Sequence, residues 1–125
     1  MKGLASRKIA VEVLLKVDQE GAFAKDALSN AFKQHSLQER DRAFITFIVQ
    51  GTLRHMIELD EELKSLSKTP LKKMSAPLKA TLRSGLFQLM HMKDTPASAV
   101  INTSVEIARK TGHEGSAKFA NGILR

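Results

Sequence analysis

The side chains best able to hold a metal ion are four histidines: His35, His55, His91 and His113. A metal site on a helix places two histidines four residues apart on one face, with a carboxylate close to them. No two of these histidines have that spacing, and the sequence pairs none of them with a carboxylate in such a pattern. The sequence therefore predicts ordinary surface or packing histidines and no metal site.

Residues for covalent chemistry or cofactor binding are also missing. The chain contains no cysteine, which excludes thiolate nucleophiles, thiolate metal ligands and disulfides within its 125 residues. None of the glycine-rich phosphate loops occurs, and there is no G-x-S-x-G nucleophile turn. We expect no catalytic residue and no cofactor in this chain.

Four acids lie close together at the middle of the chain: Glu58, Asp60, Glu61 and Glu62. Neighbouring acids on a helix point in different directions, and the spacing of a calcium loop is absent. A solvated role is therefore favoured over a cation site. Arg54 precedes the cluster and is expected to pair with Glu58 or Asp60.

Positive charge is the strongest chemical feature, because the net charge is +7 and its distribution is uneven. The segment 63–93 holds seven basic residues and no acid. Such a segment suits a polyanion, since each Lys or Arg that meets a phosphate releases condensed counterions. A solvated face that merely aids solubility is the alternative, and composition does not choose between the two. The candidate phosphate-binding residues form two groups, one near the N-terminus and one around residue 75: Lys2, Arg7 and Lys8; Lys72, Lys73, Lys79 and Arg83.

Base stacking has few candidate side chains, since Trp and Tyr are absent and most of the six Phe residues lie in apolar patterns. RNA-binding modules use aromatic rings or Arg planes to stack unpaired bases. We therefore expect contact driven by phosphates and shape, with little sequence readout and weak affinity.

The elements that position these residues are all predicted to be helices. Apolar residues recur at helical spacing throughout, and Gly21, Thr69-Pro70, Ser75-Ala-Pro77, Thr95-Pro96 and Gly112 mark helix ends or starts. Ser36 and Glu39 resemble a capping box that opens one long apolar helix running past Ile57. Gly51 and Gly85 lie inside helical patterns, which predicts that the two central helices cross closely there. The fold class is all-α, a single bundle of about six or seven helices.

Targeting signals are also absent from the sequence. Apolar runs are far shorter than the roughly 20 residues of a membrane span, and the first residues lack the apolar centre of a signal peptide. A cytoplasmic protein with no membrane partner is expected. Apolar residues at helical spacing continue to Ile123 and Leu124, so we expect the chain to be the N-terminal part of a longer protein.

Several segments resemble one known family when they are taken in order. The match covers residues 4–125, and its motifs are Asp41-Arg-Ala-Phe, Gly51-Thr-Leu-Arg54 with Leu59-Asp60, Leu82-Arg-Ser-Gly-Leu-Phe-Gln-Leu-Met90, Thr95-Pro-Ala-Ser-Ala99, Ser104-Val-Glu-Ile-Ala108 and Asn121-Gly-Ile-Leu-Arg125. Together they resemble the NusB-type domain at the N-terminus of the RsmB (Sun/Fmu) family of ribosomal RNA cytosine-5 methyltransferases.

This resemblance implies a NusB-like RNA-binding domain over residues 1–125, which helps to position small-subunit ribosomal RNA for methylation. In that family a second domain binds S-adenosylmethionine and carries the catalytic cysteines, so this chain alone should not be an enzyme. The implied partners are ribosomal RNA, the C-terminal methyltransferase domain of the same protein and a ribosomal protein. NusB relatives use a basic N-terminal helix for RNA, which corresponds here to Arg7 and Lys8, with Lys2 just upstream. A stand-alone NusB-type antitermination factor or a protein-interaction module is the alternative.

Overall fold

The computed structural model describes residues 1–125, and the chain forms seven α-helices and no β-strand. They are α1 (Leu4–Glu20), α2 (Ala24–Gln34), α3 (Glu39–Arg54), α4 (Met56–Leu66), α5 (Ala76–His91), α6 (Ala97–Thr111) and α7 (Glu114–Leu124), with a short 3-10 helix at Leu71–Lys73 before α5. The predicted all-α class and helix number are confirmed. No helix is both long enough and apolar enough to span a bilayer.

The long apolar helix of the sequence prediction is two helices. It breaks at His55, which ends α3 and begins α4 with a backbone outside the helical region (φ −102°, ψ 19°). The start of α3 also differs from the prediction, because Gln38 and Asp41 form the capping box rather than Ser36 and Glu39. This break turns the chain and leaves His55 at a corner between two helices.

Helix α5 lies at the centre of the bundle and packs against α1, α3, α4, α6 and α7. Eight of its sixteen residues are buried. Ser75 caps its first turn, where the side-chain oxygen accepts a hydrogen bond from the backbone N–H of Leu78. Two apolar clusters lie beside it. One joins α1, α2 and α3 around Ile9, Ile45 and Ile48, and the other joins α4, α5 and α7 around Leu59 and Leu82.

Gly51 and Gly85 both lie at close contacts, but they do not lie against each other. A Cβ at Gly51 would fall 2.0 Å from Cζ of Phe87 on α5. A Cβ at Gly85 would fall 3.0 Å from Oγ of Ser104 on α6 and 3.2 Å from Cδ1 of Leu124 on α7. The prediction that both glycines mark one crossing is therefore wrong, since Gly51 makes room for a ring and Gly85 lets two further helices approach.

Thr52 on α3 carries a buried hydroxyl with no hydrogen-bond partner. We expect Thr52→Val to leave the stability unchanged or to raise it by up to about 1 kcal/mol, because a group of the same shape then replaces a desolvated, unpaired oxygen. Thermal and urea unfolding would measure the change. Thr103→Val is the matched control, since the Thr103 hydroxyl donates to the Ala99 carbonyl at 2.7 Å and its loss should not stabilise. A clear destabilisation by Thr52→Val would contradict the expectation.

Candidate nucleic-acid interface

Arg7 does not join Lys2 and Lys8 in a surface patch. Its side chain is buried, with Nε donating to Oε1 of Gln88 at 2.7 Å and a terminal nitrogen donating to the Gly3 carbonyl at 3.3 Å. The guanidinium also lies 5.1 Å from the centre of the Phe44 ring. Burial lowers the pKa of Arg7. The predicted phosphate contact therefore has no geometric basis, because this cation serves the α1–α5 contact inside the bundle.

Arg83 is similarly engaged. It makes a bidentate ion pair with Asp60, in which Nε lies 2.8 Å from Oδ1 and Nη2 lies 3.0 Å from Oδ2. The pair ties α5 to α4 and is mostly shielded from solvent.

The predicted pairing of Arg54 with Asp60 or Glu58 is wrong, because Arg54 is exposed and forms no ion pair.

Of the seven predicted phosphate-binding residues, the five lysines remain available for a phosphate. Lys2, Lys72 and Lys73 are exposed, Lys8 and Lys79 are half-buried, and none of them forms an ion pair. Lys73 lines a cleft of about 290 Å³ between the start of α5 and the start of α7. Ser75 and Ser116 line the same cleft, which we call the α5-entrance cleft. With Thr69, the cleft places one unpaired ammonium group and three hydroxyl-bearing residues near two helix N-termini, an arrangement that favours anions.

A larger basic surface lies between α2 and α3 and was not predicted. This α2/α3 groove has a volume of about 530 Å³, and its lining includes three cations, Lys25, Lys33 and Arg42, and no carboxylate. Arg42 is held in place by donating to the Leu37 carbonyl, at 2.6 Å. The two lysines are exposed and form no ion pair. The groove therefore presents one guanidinium that is held in place and two unpaired ammonium groups on the same surface.

The sequence did contain a signal for this groove. Polar residues recur every four positions on each of the two helices: Lys25, Ser29 and Lys33 on α2, and Arg42, Thr46 and Gln50 on α3. Residues four apart share one helical face. A census of charge along the chain hides the pattern, because acids such as Asp26 and Glu39 lie between these cations in sequence but not in the groove lining.

Phe47 is a large aromatic side chain exposed next to this surface. It follows Thr46 on α3, and 57% of its area is exposed. Its ring lies 5.9 Å from that of Phe87. The expectation that most Phe residues are core holds for four of the six, since Phe87 is buried and three others pack against the core clusters: Phe32, Phe44 and Phe119. Phe47 and Phe23, which is 78% exposed, are the exceptions. Phe47 shares a neighbouring cavity with Gln50 of the groove lining, so an exposed ring that could stack on a base lies near the groove.

The histidine prediction also needs a correction. His55 and His91 lie beside Glu58, with His91 Nε2 at 2.6 Å and His55 Nδ1 at 3.5 Å from Glu58 Oε1. The prediction that none of the histidines has a nearby carboxylate is wrong for these two. The helix break at His55 and the end of α5 at His91 bring them together, and neither is visible as a sequence spacing.

The class of the protein follows from its sequence: the profile of the NusB family matches residues 4–125, and the chain belongs to this family. Among its relatives, transcription antitermination protein NusB of Syntrophomonas wolfei is 33% identical over 120 residues, which cover 95% of this chain and 90% of that protein.

Methyltransferases are similar over the same residues. A probable ribosomal RNA small subunit methyltransferase B of Bacillus subtilis is 37% identical over 125 residues, and one of Synechocystis is 32% identical over 122. The match covers all or nearly all of this chain, 100% and 98%, but only 28% and 27% of those proteins. The chain thus spans little more than a quarter of the length of the methyltransferases it matches.

Solved structures share the fold at lower identity. NusB in a structure of antitermination factors NusB and NusE with dsRNA has a TM-score of 0.89 and 20% identity, covering 99% of this chain and 95% of that one. T. maritima NusB gives a TM-score of 0.88 and 22% identity, covering 99% and 88%. These likenesses establish the NusB fold.

Proposed function

We propose that this chain binds RNA through the α2/α3 groove, with the lysines around the α5-entrance cleft as a second contact. The observation that carries the proposal is the groove lining of three cations and no carboxylate. A phosphate backbone needs several Lys or Arg heads that project together, and base contacts then add specificity. The family supports the ligand class, since a NusB of the same fold has been described in a complex with dsRNA.

The setting in which the chain acts has two candidates. The similarity to NusB proteins over nearly their whole length supports a stand-alone antitermination factor. The slightly higher identity to the methyltransferases supports an RNA-binding domain that presents small-subunit ribosomal RNA to an S-adenosylmethionine-dependent domain elsewhere in the same protein. We favour the antitermination setting, because a structure of this fold shows antitermination factors in complex with dsRNA. The surface that we propose for RNA is the same in both settings.

A protein partner is the second candidate function. NusB forms a complex with NusE in one structure of this fold, and this observation carries the second candidate. The present chain exposes five large apolar side chains: Met1, Phe23, Phe47, Ile57 and Leu66. Such side chains are ordinary when scattered singly on a surface and indicate a partner only where they form one patch. An interaction module without RNA affinity would bind a protein of the NusE kind and show no saturable RNA binding at any salt concentration.

Charge reversal of paired lysines tests the RNA proposal. We expect Lys25→Glu with Lys33→Glu to weaken binding of a short duplex RNA most and to flatten the logarithmic salt dependence by about two units, one for each lost phosphate contact. Lys72→Glu with Lys73→Glu should weaken binding less. Fluorescence anisotropy over a series of salt concentrations measures both quantities, and single-stranded RNA of the same sequence shows which form is preferred.

Lys68→Glu with Lys93→Glu is the matched control, because both lysines are exposed, form no ion pair and give the same change in net charge. Lys2→Glu with Lys8→Glu tests the basic N-terminal helix that the family resemblance indicates. Equal and small effects from all four pairs would mean that the charge serves solubility, and the interaction module would then be the better explanation. A dominant effect of Lys72 and Lys73 would move the interface to the α5-entrance cleft.

A further inference from the structure

The geometry points to a metal-binding site formed by His55, Glu58 and His91, with Zn²⁺ as the ion whose ligand preference fits best. The three donors come from the α3–α4 corner, the first turn of α4 and the last residue of α5. All three ligand atoms lie within 4.8 Å of one another. This site is independent of the proposed RNA function and lies outside the basic groove lining.

The ligand set is one that zinc accepts. Two imidazoles and one carboxylate with a water in the fourth position make a common tetrahedral arrangement. Zinc lies about 2.0–2.2 Å from nitrogen and oxygen ligands, so two donors at the tetrahedral angle are roughly 3.3–3.6 Å apart. The 3.5 Å between Glu58 Oε1 and His55 Nδ1 meets that value. The 2.6 Å between Glu58 Oε1 and His91 Nε2 must lengthen by about 0.7 Å, and the remaining pair of donors lies within 4.8 Å.

The three side chains are partly exposed and make few other polar contacts. About a third of each histidine side chain and about half of that of Glu58 are exposed, 35%, 30% and 48%. The carboxylate contacts only these two histidines, so an ion replaces existing contacts rather than breaking other ones. The imidazole rings are stacked, with centres 4.1 Å apart and an angle of 18° between planes. They must tilt apart for both lone pairs to reach one ion.

The surroundings limit the expected affinity. Phe87 flanks both imidazoles and restricts their rotation, with ring centres 5.8 Å and 5.5 Å away. The second ring nitrogen of each histidine has no protein partner. A hydrogen bond to that nitrogen usually raises metal affinity 10- to 100-fold, and this site lacks it. Arg54 lines the same cavity as both histidines, and its charge opposes a cation. Saturable but moderate binding is therefore expected.

A titration of the tag-free protein with Zn²⁺, after treatment with chelating resin, tests the site. Calorimetry should show one equivalent bound, and Co²⁺ in place of Zn²⁺ should give the visible absorption of a four-coordinate ion. We expect His91→Ala and Glu58→Gln each to weaken binding at least tenfold. His35→Ala and His113→Ala are the matched controls and should bind as the unaltered chain does, since neither residue belongs to the cluster.

Thermal unfolding without metal shows whether each variant is folded. Should His91→Ala unfold, Glu58→Gln decides the question, because it keeps the shape and removes only the anionic ligand. Addition of Zn²⁺ should raise the melting temperature of the unaltered chain and not that of Glu58→Gln. The absence of saturable binding, or binding by Glu58→Gln and His91→Ala as tight as that of the unaltered chain, would overturn the proposal. The cluster would then be a hydrogen-bonded group that needs no ion.

Discussion

Replacing Gly51 with alanine should destabilise the bundle by about 1–3 kcal/mol, the typical cost of overpacking a core. The added methyl carbon would lie 2.0 Å from Cζ of Phe87 and 2.5 Å from Cε1, distances at which one of the groups must move. Phe87 is 2% exposed and is flanked by Phe47, His55 and His91, so its ring has little room to shift. Chemical denaturation measures the loss of stability.

Gly122→Ala provides the matched control, because it lies in α7 and a Cβ there meets nothing within 4 Å. That variant should be more stable by roughly 0.5–1 kcal/mol, since alanine loses less backbone entropy in a helix. Combining Gly51→Ala with Phe87→Leu should recover part of the loss, because the smaller side chain vacates the space. Equal stability changes at positions 51 and 122 would show that the close contact does not matter.

Gln88→Leu should cost about 2–3 kcal/mol, because it removes a hydrogen bond to a charged group and leaves that charge buried. The Gln88 carbonyl oxygen is the side-chain acceptor for Nε of Arg7, at 2.7 Å, and its amide group donates to the Ser84 carbonyl at 3.0 Å. Without Gln88 the guanidinium keeps only the Gly3 carbonyl and the Phe44 ring. Urea denaturation of the single and double variants measures the effect.

Arg7→Met combined with Gln88→Leu should be considerably more stable than Gln88→Leu alone, because no buried charge then lacks a partner. A double-mutant cycle is expected to give a coupling energy of at least about 1 kcal/mol between the two positions. Additive effects of the two substitutions would show that Arg7 reaches solvent when its partner is lost.

The helical class, most helix limits and the family could be predicted because they depend on local features of the sequence. Apolar spacing, Gly21 and the Ser75 cap each act within one or two turns. The place of the arginines could not be predicted in this way. Arg7 and Arg83 look like surface cations until Gln88 and Asp60, far away in sequence, are known to face them. A charge census counts residues but does not show which side of a helix meets a neighbour.

The histidine cluster was missed for a related reason. Its formation depends on the break between α3 and α4 at His55, inside an otherwise continuous apolar pattern. It also depends on where in the bundle α5 ends, because His91 is its last residue. The α2/α3 groove is a different case, because its four-residue spacing is present in the sequence. Helical spacing of polar residues is therefore a better guide to a basic surface here than the density of lysines along the chain.

The central position of α5 has a consequence for how the protein is made. A ribosome delivers Arg7 before Gln88, and the two are 81 positions apart. At a synthesis rate of about 5–20 residues per second, the first helices wait roughly 4–16 seconds for the helix that covers them. During that interval the inner faces of α1 and α3 have no α5 to pack against, so a nascent chain stalled before residue 76 should be the form most readily held by chaperones.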